Sequence, residues 1–352
     1  MIDLRQRACN AMLGLAVGDA MSWPAMFHRS YLLPFWTRRI RREMEAAAET
    51  NDVIRPAMPF SLNRPAEAFA IGPTDDTEWA AFTAQQLLLQ DGKLAPEELL
   101  AAWLELARSS QNVRGGVSIQ AALSNLCQKK FPPQSGKDNP HYFDDGAVCR
   151  AVPIGVVWAG RPNEAAEMAA LDAAVTNAED GVWAAQAMSA AISVACASGG
   201  INEVIAAAMS ILPDNTWIKR SVMEALQFCH EDATIFDIFP RLSDSLINRE
   251  YSYGSVAPET LALALVITKL SKLSKGDFKS AVMAAASFAK TADSVPALVG
   301  ALSGAMTAQE FISHDWRERF RQLQGICVPT LAGVDYVELT ERLADLAVRK
   351  MN

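Results

Sequence analysis

Apolar residues recur with helical spacing along almost the whole chain of 352 residues, and no other feature limits the possible folds as strongly. Alanine-rich stretches inside this pattern would let neighbouring helices approach closely. Alternating strand patterns joined by Asn-Gly or Asp-Gly hairpin turns are missing from the sequence. The clearest periodic segments are 79–89, 99–107, 117–126, 165–175, 182–196, 204–212, 261–270, 282–288, 295–306 and 337–348. The pattern predicts an all-α bundle of about a dozen helices in a single domain over residues 1–352.

Composition narrows the class of protein. Half of the residues are hydrophobic and 20% are charged, which is typical of a globular protein with a sizeable core. The net charge of −8 argues against a non-specific nucleic-acid binder, which needs a basic face. The polar N-terminal stretch has no signal-peptide core, and no apolar run reaches the roughly 18 residues of a membrane span. We therefore expect a cytoplasmic protein with neither a membrane nor a nucleic-acid partner.

The cysteines agree with this assignment. Six are scattered along the chain and none forms a Cys-x-x-Cys pair. Several lie inside apolar helical runs, which indicates small buried residues in a reducing compartment instead of disulfides or a zinc site.

One segment, residues 24–73, breaks the helical pattern with prolines, aromatic residues and an arginine cluster. A long irregular segment of this kind is often a lid or a substrate-facing insertion, although a surface excursion without a role is an equal alternative. The cluster of Arg38, Arg39, Arg41 and Arg42 is typical of a solvated helix face and leaves a local phosphate pocket open.

Two acidic clusters stand at the beginnings of predicted helices. Thr74-Asp75-Asp76-Thr77 precedes one apolar run, and Asp293-Ser294, with Thr291 before them, precedes another. Carboxylates beside hydroxyls are hard oxygen donors that suit Mg²⁺ or Ca²⁺. The alternative for each cluster is ordinary capping of a helix N-terminus. If the two helix ends met in the fold, they would surround one cation.

Two further stretches carry unusual polar residues. The first has glycines four apart on a helix, Gly14 and Gly18, and then Asp19 in an otherwise apolar run. Asp19 is either a site residue or a buried acid bound to backbone donors. The second runs from Asp144-Asp145-Gly146 to Arg150 and Pro153, where the sequence predicts a turn that leads into a helix interrupted by the proline. Arg150 pairs with a carboxylate of the site or forms a structural salt bridge.

Taken in order, these four motifs resemble those of the ADP-ribosylglycohydrolase family. The matching residues are Gly14-x-x-x-Gly18-Asp19-Ala20, Thr74-Asp75-Asp76-Thr77, Asp145-Gly146-Ala147-x-x-Arg150-x-x-Pro153 and Asp293-Ser294 before Gly300. They cover nearly the whole chain, and the loop 254–260 also resembles a family loop. The resemblance implies an all-α orthogonal multi-helix bundle with a central metal-binding cleft that holds two Mg²⁺ ions and the terminal ribose of ADP-ribose.

The resemblance also assigns roles to residues of this chain. The assigned catalytic residues are Asp75 and Asp76. The assigned metal ligands are Thr74, Asp75, Asp76, Asp293 and Ser294. The assigned substrate-binding residues are Asp19, Asp144, Asp145, Gly146, Arg150 and Asn177, with the 144–150 loop near the adenosine and diphosphate. The expected cofactor is Mg²⁺, as one or two ions, with Mn²⁺ as an alternative.

Three departures from the family pattern matter. Thr291 stands where the family usually has a carboxylate, in Asp-x-Asp-Thr or Asp-x-Asp-Ser. Met26 is the nearest position to a glutamate that the family often carries on a gating loop. Thr176-Asn177 replaces the Thr-His that often precedes a helix beginning near Gly181. The resemblance is therefore to a divergent branch of the family, in which the substrate differs, one ion binds more weakly or only one ion binds, or turnover is lost.

These residues lead to two functional hypotheses. The first is a metal-dependent hydrolase that removes ADP-ribose from a modified protein side chain or small molecule by attack of water at ribose C1″. The second is a catalytically impaired member that binds ADP-ribose or acts as a protein-interaction module, for example by occluding a toxin. The expected partner is ADP-ribose or an ADP-ribosylated protein.

Overall fold

A computed structural model describes residues 2–29, 50, 72–230, 233–248, 251, 254–273, 277–288 and 290–351. Most of the predicted insertion at 24–73 lies outside these residues, as does the arginine cluster at 38–42, and nothing is described of the Met26 side chain. Residues 24–29 belong to the first helix.

Helices account for most of the described residues, which contain no β-strand, and this confirms the all-α class. In chain order the helices are α1 (Ile2–Arg29), α2 (Asp75–Leu89), α3 (Pro96–Arg108), α4 (Val117–Cys127), α5 (Gln134–Lys137), α6 (Ala151–Val157), α7 (Pro162–Ala173), α8 (Asp180–Cys196), α9 (Ile201–Ile211), α10 (Trp217–Gln227), α11 (Ile235–Leu246), α12 (Ala257–Leu273), α13 (Phe278–Ala286), α14 (Val295–Ala305), α15 (His314–Phe320) and α16 (Tyr336–Met351). Two short 3₁₀ turns occupy Ser110–Asn112 and Pro329–Leu331. Extended pairing among these residues is limited to two isolated antiparallel bridges, Asp144 with Val256 and Gln322 with Asp335.

Local chemistry explains where helices begin. Helix α3 starts at Pro96, whose missing N–H costs nothing in a first turn, and Glu97 and Glu98 follow at the positive end of the helix dipole. Helix α11 starts with a capping box in which Thr234 and Asp237 accept from each other's backbone N–H groups.

The prediction of a helix interrupted by Pro153 is wrong. Residues 145–150 form turns, and α6 begins only at Ala151. Pro153 therefore lies in the first turn of α6, where no intrahelical hydrogen bond is lost.

Helices α1 and α14 pack backbone against backbone at the centre of the bundle. A Cβ added to Gly14 would lie 2.3 Å from the carbonyl oxygen of Gly300, and one added to Gly18 would lie 2.0 Å from that of Pro296. Gly304 meets Asn10 in the same way. Since no side chain fits between the two backbones at these glycines, the distance between the axes of α1 and α14 is short and fixed.

Buried apolar side chains from α1 through α16 form one contiguous cluster. Helix α16 crosses α1, and the buried phenol of Tyr336 donates to the carbonyl oxygen of Met12 at 2.8 Å. Helix α2 packs near both, and Trp79 stacks on Trp103 of α3 with ring centroids 5.4 Å apart. This packing brings the beginning of α2 close to α1. Within the described residues, no helix is both long enough and apolar enough to cross a membrane.

Candidate active site

A cavity of about 120 Å³ opens where α2, α4, α14 and the 144–150 turn meet. Its walls carry carboxylates, hydroxyls and backbone groups. The lining residues are Asp75, Asp76, Trp79, Gly116, Val117, Ile119, Asp144, Asp145, Gly146, Cys149, Gly254, Ser255, Asp293 and Ser294. Folding thus brings the two acidic clusters, which are remote in sequence, to one cavity.

Neither cluster acts as a simple helix cap. Thr74 and Ser294 occupy the N-cap positions of α2 and α14, yet neither side chain accepts from its own helix. The hydroxyl of Thr74 donates to Asp19 instead, and that of Ser294 lies close enough to Asp145 to lower the pKa of its carboxyl. The capping alternative therefore does not describe these hydroxyls.

Asp19 anchors the start of α2. Its carboxylate is fully buried and accepts from the backbone N–H of Thr74 at 2.8 Å and of Thr77 at 3.0 Å. The hydroxyls of both threonines also donate to it. Burial raises the pKa of Asp19, and these four donors lower it. Of the two alternatives for Asp19, the structure shows the buried acid bound to backbone donors. It thereby fixes the segment that carries Asp75 and Asp76.

Asp75 and Asp76 share a crowded acidic environment. Burial, together with Asp19 and Asp293, raises the pKa of Asp75 to about 7. Burial and the charge of Asp75 raise the pKa of Asp76 well above its ordinary value. The Oδ2 atom of Asp76 is buried and has no hydrogen-bond partner among the described residues. Such an oxygen is costly to bury unless a cation or proton meets it.

The opposite wall carries Asp293, Ser294 and Asp145. The hydroxyl of Ser255 donates to Asp293 Oδ1 at 3.2 Å. Asp145 Oδ2 accepts from the hydroxyl of Thr260 at 2.6 Å. Burial and the charge of Asp293 raise the pKa of Asp145 to about 7.

The turn that carries Asp145 is held by its neighbour Asp144. Asp144 accepts from the backbone N–H groups of Ser118 at 3.2 Å and Gly146 at 3.1 Å. The amide of Asn177 donates to Asp144 Oδ1 at 2.9 Å and to the carbonyl oxygens of Tyr142 and Asp144. Asn177 therefore contacts the turn from behind, and the cavity lies on the other side.

Arg150 is fully buried beneath the same turn. Its Nε donates to Asp172 at 2.6 Å, while its Nη atoms donate to Gly146 O and the hydroxyl of Thr176 at 2.9 Å. These contacts are those of a structural salt bridge. Among the predicted substrate-binding residues, Asp144, Asp145 and Gly146 line the cavity, whereas Asp19, Arg150 and Asn177 stand behind its wall because their polar atoms are committed to the scaffold.

The donor chemistry of the cavity fits a hard divalent cation. In the ranges that the structure describes, no three Asp, Glu, His or Cys side chains lie close enough to make a complete ligand set by themselves. Mg²⁺ commonly uses only one or two carboxylates and keeps several waters. This mode of coordination is compatible with the cavity, which offers carboxylates, hydroxyls and the Asp76 oxygen that has no partner among the described residues.

Several contributors were not identified from the sequence. Trp79, Cys149 and Ser255 line the cavity, and Thr260 orients Asp145. Burial and the nearby Asp76 raise the pKa of the Cys149 thiol, which keeps it neutral. The resemblance of 254–260 to a family loop was the available signal for Ser255 and Thr260; Trp79 and Cys149 look like ordinary core residues.

The fold and the site together define the class of this protein. It is an all-α bundle with an acidic cavity between the N-terminal ends of its helices. The family model described as ADP-ribosylglycohydrolase matches residues 1–351, and the chain belongs to that family. A solved structure described as an "ADP-ribosylglycohydrolase-related protein complex" is similar over 100% of both chains, with a TM-score of 0.62 and 19% sequence identity, which supports the fold alone. Comparison with curated proteins gave no match. Membership supports a glycohydrolase-type role and partners related to ADP-ribose.

Proposed function

We propose that the chain is a metal-dependent hydrolase that releases ADP-ribose from a modified protein side chain or small molecule. One observation carries the proposal. Asp75 and Asp76 from one end of the chain and Asp293 and Ser294 from the other line a single cavity, and Asp76 Oδ2 has no partner in the described structure. Family membership supports the same type of reaction.

The residues that would hold the cation are Asp75 and Asp76 on one wall, and Asp293 and Ser294 on the other. Thr74, which the resemblance assigns as a further ligand, is not among the lining residues, and its hydroxyl donates to Asp19. Mg²⁺ or Mn²⁺, when bound, supplies Lewis acidity that orients ribose hydroxyls and lowers the pKa of water. The turn that begins at Asp144 would lie against the adenosine and diphosphate. Its fixed backbone offers a rigid surface to that part of the substrate.

The protein's own carboxylates would manage the proton. Cleavage at ribose C1″ passes through an oxocarbenium-like state and requires an attacking water. Asp75 or Asp76, whose carboxylates line the cavity, would accept the proton of that water. General acid–base help of this kind contributes about 10²–10⁴-fold to a rate.

The test is release of ADP-ribose from ADP-ribosylated arginine and from ADP-ribosylated serine, with Mg²⁺ or Mn²⁺ present. Asp75→Asn should lower the rate by at least about 10²-fold. Asp214→Asn, a change of the same type at an exposed residue, should retain the wild-type rate. Absence of release from every acceptor by the wild-type protein would contradict the proposal.

A second candidate has its own observation. Thr291, which stands in place of a family carboxylate, is fully buried and does not line the cavity. A member that lacks one ligand would serve as an ADP-ribose receptor or as a module that occludes a protein partner. Calorimetry with ADP-ribose and Mg²⁺ separates the cases. Tight binding without turnover favours a receptor, and binding of neither favours a protein-facing role.

A further inference from the structure

Thr291 does not supply the oxygen that its position in the motif suggests. Its hydroxyl donates to the backbone carbonyl of Phe288 at 3.3 Å, and its backbone N–H donates to the same carbonyl at 3.0 Å. The side chain has no exposed surface and is not part of the cavity wall. The wall beside Asp293 therefore lacks the second carboxylate that the family motif usually places there.

Asp145 stands at that place, although it comes from a different segment of the chain. It lines the cavity, and Asp293 is its most strongly interacting charged neighbour. Ser294, the residue after Asp293, lies close enough to the Asp145 carboxylate for its hydroxyl to lower the pKa of that group. Asp145 is also close enough to Asp76 to influence its charge. Its carboxylate therefore lies on the wall of Asp293 and faces the same cavity as Asp76.

The surroundings of Asp145 hold its carboxylate in one orientation. Thr260, which is fully buried, donates to Oδ2 at 2.6 Å. The backbone before and after Asp145 is fixed by the hydrogen bonds of Asp144. Hydrogen bonds that orient a carboxylate from behind are typical of groups that bind metals. Within the described part of the chain, no Lys or Arg forms an ion pair with Asp145; Arg150 pairs with Asp172, and Lys290 pairs with Glu259.

We propose that Asp145 is a metal ligand on the Asp293–Ser294 side of the cavity and replaces the carboxylate that Thr291 does not provide. This rests on the proposed function, since it concerns the same cation. Asp145 and Asp293 are then the two carboxylates that this wall presents to the cation, and Ser294 adds a neutral oxygen donor. The two adjacent carboxylates repel each other without a cation, which favours its binding.

Two isosteric variants test the proposal through metal affinity, measured by calorimetry with Mg²⁺ and by electron paramagnetic resonance with Mn²⁺, in the absence of substrate. Asp145→Asn removes the charge and keeps the shape, and should weaken Mn²⁺ binding about 10–100-fold. Thr291→Val removes the hydroxyl and should leave the affinity within about 2-fold, because that hydroxyl faces Phe288. Wild-type affinity in Asp145→Asn, or an equal loss in Thr291→Val, would overturn the inference.

Controls distinguish a failure of the Asp145 assignment from a failure of the proposed function. Asp315→Asn removes one exposed carboxylate and corrects for net charge. Thermal unfolding shows whether each variant is folded. If Asp145→Asn does not fold, a crystal of the wild-type protein soaked in Mn²⁺ decides the matter, since a ligand oxygen lies about 2.0–2.2 Å from such an ion. An ion on Asp293 without Asp145 refutes this proposal alone, and a wild-type protein that binds no ion refutes both.

Discussion

At the scale of single residues, Glu78 shows how one buried charge joins distant parts of the chain. Its side chain is 1% exposed. Oε2 accepts from the backbone N–H of Cys327 at 2.7 Å and of Val328 at 2.9 Å, and Oε1 accepts from that of Ile326 at 3.0 Å. The carboxylate thereby docks the 326–328 loop one turn beyond Asp75, and the loop backbone in turn accepts from the N–H of Arg114.

We expect Glu78→Gln to lower the free energy of unfolding by about 2–4 kcal/mol. Hydrogen bonds to a charged acceptor are worth about 1.5–3 kcal/mol, and the amide presents an N–H₂ group to at least one N–H donor. Urea denaturation measures the change. Glu105→Gln on the exposed face of α3 is the matched control and should stay within about 0.5 kcal/mol of wild type. Equal effects of the two substitutions would refute the role given to Glu78.

Sequence alone identified the acids of the cavity but not all of their partners. Asp75, Asp76 and Asp293 were recognisable because carboxylates beside hydroxyls at helix beginnings form a local pattern. The sequence separations of Glu78 from its loop, 248–250 residues, leave no local signal. For the same reason, the hydroxyl of Thr260 on Asp145, 115 residues away, was not foreseen.

At the scale of elements, the glycines of α1 and α14 set the spacing of the site. Helix α1 ends its contact with α14 at Gly18, next to Asp19, which holds the start of α2. Helix α14 begins just after Asp293 and Ser294. The close approach of these two backbones therefore determines how far the two acidic walls stand apart.

We expect Gly18→Ala to cost about 2 kcal/mol or more of unfolding free energy, although alanine is the better helix former. The added Cβ would stand 2.0 Å from Pro296 O, so the helices must separate. Metal affinity should fall as well, because the walls move apart. Chemical denaturation and calorimetry measure the two effects. Gly72→Ala, whose Cβ would meet no described atom within 4 Å, should be neutral, and neutrality at Gly18 would contradict the argument.

Helix existence was predictable, whereas some boundaries were not. The periodic runs at 99–107, 117–126 and 295–306 lie at α3, α4 and α14, because each packs a regular apolar face. Periodicity misjudged the 144–153 stretch, where the hydrogen bonds of Asp144 hold turns that a local apolar pattern does not reveal. Pro153 then begins a helix instead of interrupting one.

At the scale of the whole molecule, the acidic cavity couples folding to pH. Burial first, and neighbouring carboxylates second, raise the pKa values of Asp75 and Asp145 from 3.8 to about 7. In the folded protein these groups retain protons that the unfolded chain has already lost. Their contribution to stability is therefore greatest below about pH 4 and is lost progressively as the pH rises to about 7.

We expect added Mg²⁺ to raise the melting temperature more at pH 8 than at pH 5. Cation binding requires deprotonated carboxylates, and the ion relieves their mutual repulsion. Thermal unfolding at both pH values, with and without Mg²⁺, measures the difference. Asp75→Asn should reduce the Mg²⁺ effect at pH 8. An equal shift at both pH values would indicate that these carboxylates are not the ligands.

The contact between Tyr336 and Met12 spans 324 residues and has a consequence for biosynthesis. At about 5–20 residues per second, the ribosome needs roughly 16–65 s to make the C-terminal helix after the first one has emerged. Until α14 has been synthesised, the glycine face of α1 has no helix to pack against, and the wall that carries Asp293 and Ser294 is missing. If a divalent ion binds between the two walls, as proposed, it would therefore stabilise only a polypeptide whose synthesis is almost complete.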